Sequence, residues 1–143
     1  MKHESTALMQ AQASVETATT VVGLLAKYRP QIEDACSRGL GTHSFDDVVA
    51  QLMSGDYHIM EEGDCFWIAQ VQQYPRVKLY HVFISGGKLS AVKAAIPKMR
   101  DAARAAGAAK LTMAGRVGWK RIFEPLGAKT TQITMEMDPW ADC

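Results

Sequence analysis

At 143 residues the chain has the size of one domain, long enough to bury a core without disulfide or metal staples. Its 48% apolar and 22% charged residues exclude a disordered or low-complexity chain. Sixteen basic against fifteen acidic side chains, a net charge of +1, provide no basic field for nucleic acid. Cys36, Cys65 and Cys143 are odd in number and lack C-x-x-C spacing, so neither a disulfide framework nor a zinc site is indicated. No apolar run follows Lys2-His3-Glu4 and none later reaches the length of a membrane span. A cytoplasmic protein with reduced thiols, no membrane segment and no nucleic-acid partner is therefore expected.

Residues 1 to about 13 have no clear period and are expected to form a mobile tail. From Val15 the apolar positions Val15, Ala18, Val22, Leu25 and Ala26 recur at helical spacing. Tyr28-Arg29-Pro30 interrupts them, because proline disfavours helix in the residue before it, and Ile32, Ala35 and Cys36 resume the pattern. This predicts one kinked helix or two short ones. Ser44 reads as an N-cap with Asp47 three residues on, ahead of an apolar face of Phe45, Val48, Val49, Leu52 and Met53, and Gly55 ends that second helix.

The character then changes to β. Tyr57 to Met60, Cys65 to Val71 and Lys78 to Ile84 are three short strands, separated by Glu61-Glu62-Gly63-Asp64 and by Gln72 to Val77, which predicts an antiparallel meander. After Ser85-Gly86-Gly87, the positions Leu89, Val92, Ile96, Met99 and Ala103 mark a helix of about five turns carrying Pro97 inside it. Lys110 to Ala114 follows as a strand, Gly118 to Leu126 as a short helix stopped by Gly127, and Thr130 to Met137 as a final strand. A long helix between two strands implies a crossover connection. The elements make one domain over 14–138, with a short tail over 139–143 in which Trp140 is a candidate docking residue.

This order of elements, with Gly118-Trp119-Lys120-Arg121-Ile122-Phe123-Glu124-Pro125-Leu126-Gly127-Ala128, resembles the GNAT (Gcn5-related N-acetyltransferase) family, whose last helix commonly reads F-Y-E-K-L-G-F. The resemblance implies an α/β (α+β) fold with a mixed, mostly antiparallel sheet and helices on both faces. It implies acetyl-CoA as acyl donor, with its pyrophosphate on backbone N–H groups where the long helix begins, and an amine as acceptor. Helix N-termini suit this, since they present free donors and a positive dipole end. Ile84, Ser85, Gly86, Gly87 and Lys88 occupy the loop, although the family's Q/R-x-x-G-x-G/A spacing is absent. Arg116 falls near the family's asparagine and is a further anion-binding candidate.

Phe123 stands where the family often has its acidic tyrosine and has no proton to give. His81 on the third strand, or Glu61 or Glu62, is the candidate base for deprotonating an amine, and Tyr80 the candidate source of a hydroxyl. The four histidines lack metal-ligand spacing, so no metal is expected. Cys65 beside Phe66 and Trp67 reads as a buried small hydrophobe. Gly115-Arg116-x-Gly118-Trp119 also resembles GNAT-like proteins encoded by tailed bacteriophages. That likeness implies an alternative, a non-catalytic virion or accessory module with protein partners, in the host cytoplasm or the virion, with oligomerisation possible.

Overall fold

The computed structural model describes residues 2–39, 41–115 and 118–140, with side chains described from Thr20 onward. The first helix, α1, runs without interruption over Lys2–Arg38, with Pro30 inside it. It is neither split nor preceded by the expected irregular tail. Residues 7–13 are alanine, leucine, methionine and glutamine, all good helix formers, and propensity can extend a helix where no apolar stripe exists to announce it. Proline removes one backbone bond. Around it Leu25, Tyr28 and Ile32 are buried, and their packing holds the helix together.

Helix α2 (Phe45–Ser54) has the cap its sequence predicts. The Asp47 amide donates to Ser44 Oγ at 3.2 Å, and the Ser44 amide donates to Asp47 Oδ2 at 2.8 Å. Three strands follow, β1 (His58–Glu62), β2 (Cys65–Gln73) and β3 (Lys78–Gly86), paired antiparallel in sequence order. Glu61 and Glu62, expected in a turn, belong to β1, and only Gly63 and Asp64 lie between the strands. Gly63 takes φ 58, which suits the first position of a two-residue hairpin loop. Helix α3 (Leu89–Ala105) crosses over to β4 (Lys110–Met113), which lies parallel to β3, and α4 (Gly118–Phe123) with a 3-10 turn at Glu124–Leu126 closes the domain.

The sheet order is β1-β2-β3-β4 with helices on both faces. Alternation along β2 divides the core: Cys65, Trp67 and Ala69 pack with Val92, Ala95, Met99 and Phe123 on one face. Phe66 and Ile68 pack with Leu25, Tyr28, Ile32, Val48 and Leu52 on the other. Each large apolar side chain so buried contributes about 1.5–3 kcal/mol before the entropy of ordering it is subtracted.

The expected final strand over 130–137 is not formed. These residues pair with no strand, and Ile133, Met135 and Met137 are 80–87% exposed. Composition and alternation make a segment fit to pair, but pairing needs a strand alongside, and among the described residues none is brought to it.

Candidate functional site

On the β4 side β3 has an open edge, because β4 ends first. Their ladder runs from Leu79–Lys110 to Val82–Met113 and ends there, while β3 continues to Gly86. Among the described residues no strand lies along Phe83 to Gly86 on that side. Where the ladder ends β3 carries a bulge: Ile68 pairs with Ile84 and Ala69 with Val82, leaving Phe83 as the extra residue. The bulge reverses the alternation, so Tyr80 and Val82 face α3 whereas Phe83 and Ile84 both join the core under α1 and α2.

Past this edge β3 leads into Gly86, Gly87 and the start of α3. Lys88 is the N-cap and makes no side-chain capping bond, so the first-turn amides of this 17-residue helix receive no side-chain acceptor from it. Ser85 Oγ is buried and has no hydrogen-bond partner among the described residues. Beside the loop a groove of about 520 Å³ is lined by Lys27, Tyr28 and Gln31 of α1, by Asp64, and by Gly87 and Lys88. The α3 start and Lys88 beside this groove suit an anionic group, whereas Lys27 is already paired with Glu61 and Ser85 does not line the groove.

The two glycines have a second reason to be there. A Cβ on Gly86 would stand 2.5 Å from Phe66 Cε1. One on Gly87, whose φ is 130, would press into the Asp64 carbonyl oxygen and come within 3.1 Å of Cys65 Cα. The pair is thus required by the packing of the loop on the β1–β2 hairpin, independently of any phosphate.

His81 faces away from Tyr80 and Val82, and its register partner on β4 is Thr112. Its Nδ1 lies 2.9 Å from Thr112 Oγ1, one residue short of the end of the ladder. Burial lowers its pKa below the ordinary 6.5, which favours a neutral imidazole at pH 7. Tyr80 is almost fully enclosed, its hydroxyl accepting from Trp67 Nε1 at 2.9 Å and lying 2.8 Å from His58 Nε2. The hydroxyl therefore belongs to the core under α3, on the opposite side of the sheet from His81.

Glu61 is also engaged. It accepts from Lys27 Nζ at 2.6 Å and from the Tyr28 hydroxyl, and these hydrogen bonds hold its carboxyl below the usual range. The Tyr28 ring in turn stacks on Phe66 at 4.4 Å. Burial pushes the Cys65 thiol up, with the nearby Ser85 hydroxyl acting weakly in the opposite sense but outside hydrogen-bond geometry. Phe123 stacks on Trp119 at 5.1 Å within the core. Arg116 lies outside the described residues. Among those described, no three His, Cys, Asp or Glu side chains gather as metal ligands, and no helix is long and apolar enough to cross a membrane.

Sequence reasoning thus singled out His81, Ser85, Gly86, Gly87 and Lys88, which the fold strings along one strand and its following turn. It missed Thr112, whose pairing with His81 exists only through the β3–β4 register, and the α1 side of the groove. There Tyr28 stood out in the sequence only as part of a helix interruption.

Burial of the two histidines predicts a pH dependence of stability. The unfolded chain takes up protons near 6.5 at His58 and His81, whereas the fold, where burial lowers both, resists them. Their contribution is whole above pH 6.5 and declines as the pH falls below it. Glu61 and Asp47, both held low by hydrogen bonds, keep their contributions until the pH drops below their ordinary 4.5 and 3.8. Thermal melts should show Tm falling between pH 7 and 5, and His58→Gln should flatten that slope. A Tm that is constant over this interval refutes the assignment.

No family model and no curated protein matches the chain. Solved structures do resemble it. A crystal structure described as a probable acetyltransferase matches with a TM-score of 0.56 over 89% of this chain and 94% of that one, at 13% identity. The BH1408 protein of Bacillus halodurans, solved as a tetramutant, matches with a TM-score of 0.51 over 90% and 94%, at 14% identity. A mutant of TTHA1254 from Thermus thermophilus matches with a TM-score of 0.50 over 78% and 92%, at 16% identity. At these identities the likeness is one of architecture, and the chain has a GNAT-like α+β fold.

Proposed function

We propose that this protein is an acyl-CoA-dependent N-acyltransferase that moves an acetyl group to an amine. The observation that carries the proposal is that the β3–β4 ladder ends at Val82 while β3 runs on unpaired on that side to the α3 start, where Lys88 makes no capping bond. A structural neighbour described as a probable acetyltransferase supports the same reading. In it the backbone edge of Phe83 to Gly86 lies along the acyl-CoA arm, and the amides following Lys88 take the pyrophosphate with the lysine as a nearby point charge. Bound acetyl-CoA supplies a thioester carbonyl for the amine to attack. His81 takes the proton from the amine: with Nδ1–H donating to Thr112 Oγ1, its Nε2 is left as the basic nitrogen. Holding amine and thioester together accounts for much of the rate in such transfers, so a dedicated acid is not essential. With Phe123 and Tyr80 both in the core, the departing thiolate takes its proton from water.

Calorimetric titration tests the site. Acetyl-CoA should bind in the micromolar range, and Lys88→Glu should weaken binding by roughly tenfold or more, since it sets a negative charge beside the phosphates. Its Tm should not fall, because Lys88 is exposed, caps nothing with its side chain, and a carboxylate suits the N-terminal end of α3. Absence of binding at millimolar acetyl-CoA defeats the proposal.

A second reading, a GNAT-fold binding module without chemistry, is favoured by the engagement of Tyr80 in the core and by Phe123. It predicts CoA binding without turnover, or none at all, for any amine. The likeness to phage-encoded proteins rests on Gly115 to Trp119 alone and contributes no described residue to the groove.

A further inference from the structure

We infer that the segment 130–137 is the fifth strand of a second copy's sheet, exchanged reciprocally between two chains onto the outer edge of β4. Among the described residues two backbone arrays are unpaired: the β4 edge, which ends the sheet, and the extended segment, which pairs with no strand. Ile133, Met135, Met137 and Trp140 are the most exposed large apolar residues described, at 80–90%. Monomers seldom leave so continuous an apolar row in water.

One antiparallel register satisfies every neighbouring pair at once. It sets Ile133 opposite Met113, Thr134 opposite Thr112, Met135 opposite Leu111 and Glu136 opposite Lys110. Apolar meets apolar on the α3 face, where Leu111 and Met113 are only partly buried, threonine meets threonine, and an acidic residue meets a basic one. A shift by one residue sets Met135 opposite Thr112 and loses all of these pairs. The occupant is a second copy rather than the chain's own arm because the domain leaves its arm exposed and its own β4 edge free. An identical partner offers the same arm and the same edge, so the contact closes on itself by two-fold symmetry. Each β4 edge offers four residues, about 14 Å of ladder, and the exchange forms two such ladders together with the apolar side chains of both arms. The inference does not depend on acyl transfer.

Light scattering on the full chain at tens of micromolar should give the mass of two chains, and Ile133→Lys with Met135→Lys should weaken association at least a hundredfold. The register is tested by oxidising Thr112→Cys/Thr134→Cys in a Cys143→Ser background, and by mixing the two single variants. Residues facing each other across an antiparallel pair approach within disulfide range. Disulfide-linked dimers from the double variant and from the mixture are expected. A monomeric wild-type chain, or a double variant that links only to itself, overturns the inference.

Discussion

His81→Gln is expected to lower acetyl transfer by about 10²–10⁴-fold in kcat, the usual contribution of a positioned base. The affinity for acetyl-CoA should stay within a factor of about two, because the imidazole lies on the far side of the ladder's end from the turn proposed to hold the phosphates. The pH profile separates a base from a packing residue. Burial sets the His81 pKa below 6.5, so its acid limb in kcat/KM should have its midpoint under that value and be gone from the profile of the variant. Thr112→Val, which removes the partner of Nδ1, should lower the rate less and shift the midpoint of the limb. An unchanged kcat in His81→Gln, or a limb centred above pH 7, would rule His81 out.

Gly87→Ala is expected to destabilise the fold by about 2–5 kcal/mol, a large part of the 5–15 kcal/mol typical of a domain. Two costs add. The backbone at φ 130 is one that an L side chain seldom adopts, and the new methyl would press into the Asp64 carbonyl oxygen, a backbone atom with no freedom to swing away. Gly23→Ala provides the contrast. That glycine lies inside α1 with open space around its Cβ position, so the substitution should stabilise by about 0.5–1 kcal/mol. Urea unfolding of both variants gives the comparison, and a Gly87→Ala protein within about 0.5 kcal/mol of wild type would show that the loop is not pressed on the hairpin. The same contact rules out a bulky Gly87 variant as a probe of cofactor binding, because loss of binding could not be told from loss of the loop. Lys88→Glu changes charge at the neighbouring position without that clash.

Local chemistry made several elements legible from sequence alone. Ser44 and Asp47 specify the start of α2 because a capping box uses only residues three apart, and Gly55 specifies its end. Cys65 to Val71 is a short apolar and aromatic run fit for a strand buried on both faces, and Leu89 to Ala103 keeps the helical period of α3, so the meander and the crossover followed directly. The turn at Ser85 to Lys88 stood out through its glycine pair. What that pair is for did not, since the contacts with Phe66 and Asp64 come from residues some twenty positions earlier.

The open edge of β3 depended on tertiary structure. It exists because the four-residue β4 is placed against the first half of a nine-residue β3, and no local pattern records where two strands distant in sequence meet. The bulge at Phe83, the His81–Thr112 contact and the burial of the Tyr80 hydroxyl under Trp67 and His58 are likewise products of register. The helix over residues 2–13 and the unpaired segment over 130–137 show the same division. Period and composition report which conformation a segment favours, whereas its final state depends on which surface the rest of the fold brings to it.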